Sequence, residues 1–187
     1  MNKNSRGACP ILNAFANSGI INSTGRNLNS ETIKQLSKFT NISIYMFYIV
    51  LLYIKIMKLF SFSIWDFSLD DISDHHIIEH DNSIARYDFN EENKNTYKTK
   101  INIDNLNEYT SLCKENGYIY KNDVLDLKNK KYTQKQNKSY FFDKLFPNIE
   151  INAVFKVFGK DDRISQKDFI EIFYDEKIPQ HFLDNHK

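Results

Sequence analysis

Apolar residues recur along much of the chain at the three- and four-residue spacing of amphipathic helices. The first such run consists of Ile11, Leu12, Phe15 and Ala16. Pro10 stands at its start, a position that suits a first helical residue, with Cys9 or the residue before it as the cap. Gly19 predicts the end of this helix. A second amphipathic helix is predicted over residues 30–39, with Ile33 and Phe39 on one face.

Residues 42–60, "ISIYMFYIVLLYIKIMKLF", form the most hydrophobic stretch of the chain. Its uninterrupted apolar part, residues 44–54, is eleven residues long. A membrane-spanning helix needs about 20 apolar residues, and Lys55 and Lys58 interrupt the extension. The pattern therefore favours a buried central helix, with a membrane-spanning helix as the alternative.

The second half of the chain predicts further helices and no strand pair or internal repeat. Ser68 and Asp71 have the spacing of a capping box. A helix capped by Asp104 is predicted to stop at the Asn116–Gly117 pair. Residues 121–139 are charged, and "KNKKYTQKQNK" indicates a solvated surface helix or loop. The last predicted helices cover residues 150–158, closed by Gly159, and residues 166–174, capped by Ser165 with Asp168. We expect one all-α domain over residues 1–187, with residues 116–140 as a variable surface segment.

Composition narrows the class of protein. Lys plus Arg is 25 and Asp plus Glu is 24, a net charge of +1 that gives no reason to expect a nucleic-acid partner. Five Gly and three Pro favour long regular elements. The two cysteines, Cys9 and Cys113, are too few for a disulfide scaffold. The start, "MNKNSRGACP", contains no signal-peptide-like apolar stretch, so a cytoplasmic protein is expected unless a leader is missing. Three glycosylation sequons point instead to secretion.

Cys9 is the first candidate for chemistry. At a helix N-terminus, unpaired backbone N–H groups and the helix dipole stabilise a thiolate. Such a thiolate could be a metal ligand or a nucleophile. The alternative is a small buried hydrophobic side chain, which free cysteine often is.

Two acidic positions are the next candidates. In "EHDNSIAR", Glu79 and Ser83 are four residues apart and would face the same way on a helix, as a hard-cation site requires. His80 beside Asp81 offers a base and a group to orient it. The alternative for this segment is a charged helix end at the surface. Glu150 is predicted at the head of an apolar helix, where it is either a favourable partner of the helix dipole or a desolvated general acid–base.

Three segments together resemble one protein family, and they occur in its order over nearly the whole chain. "RGACPILNAFANSGII" resembles the pattern R-x-P-C-P-x-L-N-x-L-A-N-H-G of the fungal haem-thiolate peroxidases, the chloroperoxidase and unspecific peroxygenase family. "FSLDDISDHHIIEHDNSIARYD" resembles that family's E-H-D-x-S-x-x-R motif and the F-x-L-D-D-L run before it. "EINAVFKVFG…SQKDFIEIFYDEKIP" resembles its third region, where a catalytic Glu begins a helix and an FF-x-x-E-x-L-P element follows.

The resemblance implies a role for each matching residue. Cys9 would be the axial thiolate ligand of the haem iron. Glu150 would be the distal acid–base, with His80 and Asp81 hydrogen-bonded to it as orienting groups. Arg86 matches a family arginine whose implied part is structural or on the propionate side of the haem.

The resemblance also implies a second metal. Glu79 and Ser83, with the backbone carbonyl of His80, would hold Mg²⁺ or Mn²⁺ against a haem propionate. The long peroxygenases have glycine in place of His80 and use an arginine partner. The chain therefore resembles the chloroperoxidase-like and short peroxygenase branch.

For function, the resemblance implies an all-α haem b enzyme of the chloroperoxidase-like fold. It would use hydrogen peroxide to form a ferryl species that oxygenates or oxidises small organic substrates or halide. The alternatives are a substrate-specific oxidase of specialised metabolism on the same fold, and a non-catalytic helical binding protein. In the family context the protein would be secreted. A monomer and a Cys113-linked dimer are both compatible with the sequence.

The chain departs from the family pattern at several points. Ala8 replaces the first proline of the cysteine motif, and Ser18 stands where the family usually has histidine. The x-x-G-W that typically follows the last element is replaced by "IPQHFLDNHK". These departures put haem binding in question and leave the non-catalytic alternative open.

Overall fold

The computed structural model describes residues 4–58, 63, 66–73, 83–88, 99–134 and 141–185. These residues are mostly helical, which confirms the predicted all-α class. The helices are α1 (Pro10–Asn17), α2 (Ser30–Thr40), α3 (Ile44–Met57), α4 (Ile103–Thr110), α5 (Lys121–Gln134), α6 (Phe141–Phe158), α7 (Gln166–Phe173) and α8 (Gln180–Asp184). Two short strands, β1 (Tyr118–Tyr120) and β2 (Arg163–Ser165), form an antiparallel pair.

The first two helices begin and end as the sequence predicts. Cys9 is the N-cap of α1 and Pro10 its first residue. Gly19 follows with a φ of +75°, a left-handed conformation that glycine adopts without steric cost. α2 is capped by the Asn29 side chain, which accepts hydrogen bonds from the backbone N–H groups of Glu31 and Thr32.

The prediction of a buried central helix is wrong for most of α3. Among its residues only Leu51 and Ile54 are buried, whereas Tyr45, Ile49 and Leu52 are 75%, 59% and 57% exposed. α3 packs along α2, so one face turns inward while the opposite face, equally apolar, meets solvent. No helix among the described residues is long and apolar enough to cross a membrane.

The strand pair was not predicted. Ile119 lies opposite Ile164 in the register, and both side chains are buried in the core. Strands of three residues are too short to show the alternation of apolar and polar positions that identifies strands in a sequence. α4 is also shorter than predicted: Asn102 caps it, rather than Asp104, and it ends at Thr110.

The two predicted capping boxes have different outcomes. Ser165 accepts a hydrogen bond from the Asp168 N–H at 3.0 Å and caps α7 as predicted. Ser68 and Asp71 also bond to each other's backbone, with the Ser68 N–H donating to Asp71 Oδ2 at 2.8 Å. There the pair closes a turn over residues 69–72.

α6 corrects the predicted position of Glu150. The helix begins at Phe141, so Glu150 lies in its second half and not in the first turn. Pro147 suggests a helix boundary in the sequence, yet the helix continues through it. Favourable interaction with the helix N-terminus therefore does not explain Glu150. The inner face of α6 consists of Ile151, Val154, Phe155 and Phe158, all buried in the core.

Candidate active site

The backbone before Cys9 packs directly against the turn at residues 69–73. The N–H of Ala8 donates to Ser73 Oγ at 3.0 Å, and the N–H of Asp70 donates to Ser5 Oγ at 3.0 Å. A Cβ added at Gly7 would lie 2.1 Å from Ser73 Oγ. Position 7 therefore requires glycine, because the turn lies too close to its backbone for a side chain. Through this backbone the first two family-like segments are in contact.

Asn13 fixes the same backbone from the helix side. Its Oδ1 accepts from the N–H of Gly7 at 2.9 Å, and its Nδ2 donates to the carbonyl of Gly7 at 2.9 Å. Nδ2 also donates to Glu176 Oε1 at 2.9 Å. Asn13 is 1% exposed. Its hydrogen bonds join the segment before Cys9 to the start of the C-terminal segment.

Arg86 completes this network. Its side chain is 1% exposed and forms an ion pair with Glu176. Nε donates to the carbonyl of Ala8 at 3.1 Å, and Nη1 donates to the carbonyl of Thr99 at 3.2 Å. These contacts are those of a scaffold arginine, and they fix the carbonyl immediately before Cys9.

Cys9 lies where these contacts converge. Cys9 is partly buried, and its side chain makes no capping hydrogen bond. Burial raises the thiol pKa to about 11, and the negative charge of Glu150 contributes in the same direction. The nearby N–H groups of Leu12 and Ile11, and then Arg86, oppose this rise. Without a bound cation, Cys9 is therefore a neutral thiol at neutral pH.

A cavity of about 640 Å³ opens beside Cys9. Its walls are mainly apolar side chains from α1, α2, α3 and α6. Cys9, Ser83, Arg86 and Glu150 also line it. This volume lies within the range of about 300–1,000 Å³ that is typical of cofactor and ligand sites. The structure thus brings together four of the predicted site residues around one cavity.

Glu150 has a partner that the sequence did not reveal. Lys128 Nζ donates to Glu150 Oε2 at 2.9 Å, and the two side chains are 2% and 10% exposed. The prediction that "KNKKYTQKQNK" is solvated is wrong for Lys128, the first residue of that run. Lys130 is exposed and fits the prediction, whereas Lys131 is partly buried and pairs with Glu108. Burial lowers the pKa of Lys128, while the carboxylate of Glu150 opposes that change.

Tyr109 of α4 lies in the same electrostatic environment. Its side chain is fully buried, and its hydroxyl has no hydrogen-bond partner in the described part of the chain. Burial raises its pKa above the ordinary tyrosine value, and the charges of Glu150 and Glu108 add to the rise. The phenol therefore stays protonated and contributes no charge to the site.

The other predicted site residues cannot be placed against this geometry. Glu79, His80 and Asp81 lie outside the described residues. Of the predicted divalent-cation ligands, Ser83 alone is described, and it lines the cavity. No group of three or more His, Cys, Asp or Glu side chains suited to a metal occurs among the described residues.

Three functional positions were missed at the sequence level. Asn13 and Glu176 both lie within the family-like segments, as the N of "PILNAF" and the E of "DEKIP". Their presence in those motifs was the signal that they hold the site together. Lys128 gave no such signal because it opens a run of polar and charged residues.

Comparison with known proteins supplies the family. The model of the family described as "Peroxidase, family 2" matches residues 1–187, the whole chain. A search of curated proteins finds no significant match. Since the family model covers every residue, the chain belongs to peroxidase family 2 and is, in general terms, a peroxidase, an oxidoreductase that acts on peroxide.

Proposed function

We propose that the chain is a haem-thiolate peroxidase or peroxygenase with Cys9 as the axial ligand and Glu150 as the acid–base. One observation carries the proposal: Cys9 from the start of α1 and Glu150 from α6 line the same cavity. A thiol and a carboxylate facing one apolar space are the two groups that such an enzyme requires. In this proposal the whole chain, residues 1–187, forms the haem-binding domain.

The cavity fits haem b in size and chemistry. Its walls are apolar, as the face of a porphyrin requires, and its volume of about 640 Å³ suits a large cofactor. The N–H and the carbonyl of Ala8, directly before Cys9, are both held by hydrogen bonds, which supports a pre-positioned sulfur. A ligating metal would also favour the thiolate, which burial disfavours in the free thiol. When bound, such a haem supplies peroxide activation, and an axial thiolate favours O–O cleavage.

The chain's own contribution to the reaction is proton transfer at Glu150. The carboxylate accepts a proton from one oxygen of hydrogen peroxide and returns it to the other, which leaves as water. The apolar walls exclude bulk water and strengthen the electrostatic interactions of the carboxylate. The lining favours small organic substrates of apolar character, although halide oxidation would use the same residues.

The remaining family-derived roles belong to the same proposal. His80 and Asp81 would orient Glu150, and Glu79, Ser83 and the His80 carbonyl would hold Mg²⁺ or Mn²⁺. The position of Ser83 at the cavity supports the cation site. The buried contacts of Arg86 support a structural role for this residue over a propionate-binding one.

The test is the absorption spectrum of the ferrous protein with carbon monoxide, after reconstitution with haem. Wild type should show a strongly red-shifted Soret band, which Cys9→Ala should lose and the control Cys113→Ala should keep. Glu150→Gln should keep the band but lose peroxide turnover by about 100-fold or more. A histidine-type spectrum that Cys9→Ala leaves unchanged would overturn the proposal.

A further inference from the structure

We propose that Lys128 is a positioning residue for the Glu150 carboxylate: it holds this group at the cavity wall in its ionised form. The inference rests on the proposed function, because it concerns the residue to which that function assigns proton transfer. Nothing in the resemblance to known peroxidases assigns Lys128 a role.

The geometry of the pair carries the proposal. Lys128 projects from α5 and Glu150 from α6, two helices that pack against each other. Nζ and Oε2 are 2.9 Å apart, the separation of a charge-assisted hydrogen bond. Lys128 is buried, and it does not line the cavity, whereas Glu150 does. The lysine therefore lies behind the carboxylate, on the side away from the cavity.

The surroundings of Glu150 explain why a cation is needed there. The group is largely buried, which favours a neutral carboxylic acid. Its electrostatic partners among the described residues include Cys9 at the start of α1, Tyr109 of α4 and Lys128 of α5. The cations Arg86 and Lys156 line the same cavity. Cys9 carries no charge as a free thiol and a negative one as a thiolate, and Tyr109 carries none. Lys128 thus places a positive charge in hydrogen-bond contact with Glu150, which favours the ionised carboxylate as a proton acceptor.

A structural role alone makes a different prediction. A pair kept only for stability could be replaced by apolar residues without effect on the chemistry. A positioning pair cannot be replaced in this way, because the carboxylate must be both ionised and directed toward the cavity. The pH at which Glu150 becomes protonated separates the two roles.

The experiment compares the purified full chain as wild type, Lys128→Met, Lys128→Arg and the matched control Lys130→Met. Lys130 is an exposed lysine two residues away on the same helix. The first readout is the infrared C=O band of the protonated carboxyl, assigned to Glu150 by its loss in Glu150→Gln. Lys128→Met should show this band at higher pH than wild type, whereas Lys128→Arg and Lys130→Met should not.

The second readout is the pH profile of peroxide turnover by the haem-loaded protein. In Lys128→Met the acid limb of kcat/KM should move to higher pH, and kcat/KM at neutral pH should fall by about 10- to 100-fold. Lys128→Arg should recover most of this loss because it retains the cation. An infrared titration and an acid limb that are unchanged in Lys128→Met would overturn the inference.

Three further outcomes each have a defined interpretation. If Lys128→Met does not fold, Lys128→Gln replaces it, and equal titration of Glu150 in the Gln and Arg variants overturns the inference. If Glu150→Gln turns over peroxide at the wild-type rate, the proposed function fails, whatever the infrared titration shows. If Glu150→Gln is inactive but the Lys128 variants behave as wild type, the inference about Lys128 alone fails.

Discussion

Replacing Arg86 with methionine tests whether the network behind Cys9 stabilises the fold. Methionine is also unbranched, but it carries no charge and donates no hydrogen bond. Arg86→Met removes the ion pair to Glu176 and the donors to the carbonyls of Ala8 and Thr99. Glu176 keeps its hydrogen bond from Asn13 and is 19% exposed, so its charge retains one partner and some solvent.

The magnitude follows from which charge is left behind. Breaking a buried ion pair by removing one partner costs about 3–5 kcal/mol in the free energy of unfolding. Arg86→Met leaves the more exposed partner, so we expect a loss near 3 kcal/mol. Glu176→Met leaves the guanidinium of Arg86, which is 1% exposed, and we expect a loss nearer 5 kcal/mol. The double variant should lose less than the sum of the two, because neither charge then remains unpaired.

Urea unfolding at pH 7 measures the free energy of unfolding of wild type, the two single variants and the double variant, which together form a double-mutant cycle. Lys38→Met, at an exposed lysine of α2, is the control and should change the free energy of unfolding by less than about 0.5 kcal/mol. If Arg86→Met cost less than about 1 kcal/mol, or if the two single losses simply added, the assigned role of the network would be wrong.

Three further changes probe the site from other directions. Gly7→Ala should lower the free energy of unfolding by about 1–3 kcal/mol, because its Cβ would lie 2.1 Å from Ser73 Oγ; urea unfolding measures the loss. In the haem-free protein, alkylation of Cys9 by iodoacetamide should stay slow up to pH 9 and become faster toward its pKa of about 11. Peptide mass spectrometry measures the labelling, and rapid labelling of Cys9 at pH 7 would contradict this. Tyr109→Phe removes a buried hydroxyl that has no hydrogen-bond partner among the described residues. Thermal unfolding should therefore show a free energy of unfolding that is unchanged or higher by up to about 1 kcal/mol. A loss above about 1 kcal/mol would show that the hydroxyl has a partner.

Much of the fold was predictable because its signals are local. A proline after a possible cap predicted α1, and apolar spacing predicted α2. Ser165 and Asp168, three residues apart, predicted the start of α7. Each of these depends on contacts within one or two helical turns, which the sequence shows directly.

The errors arose where distant contacts decide the outcome. The apolar run of α3 indicated burial, but its helix is apolar on both sides and packs along only one of them. Glu150 was predicted at the head of an apolar helix, whereas α6 begins earlier, at Phe141. Lys128 was assigned to solvent because its sequence neighbours are polar, whereas its burial depends on α6, more than twenty residues away.

The sequence identified the two residues that we propose to react, but not the residues that hold them in place. Cys9 and Glu150 were identified from motif and residue type, and the structure places both at one cavity. Asn13 and Glu176, which hold the backbone before Cys9, form their key contact across 163 residues. No spacing rule in a single sequence relates two positions that far apart.

That separation also sets an order of assembly during synthesis. Asn13 is made long before Glu176, and at about 5–20 residues per second the interval for 163 residues is on the order of ten to thirty seconds. Until then the Gly7–Asn13 hydrogen bonds can form locally, but the Arg86–Glu176 anchor cannot. During this interval the backbone before Cys9 lacks the contacts that Arg86 and Glu176 together provide in the folded chain. A stall in synthesis upstream of Glu176 would therefore leave Cys9 in a site that lacks this anchor.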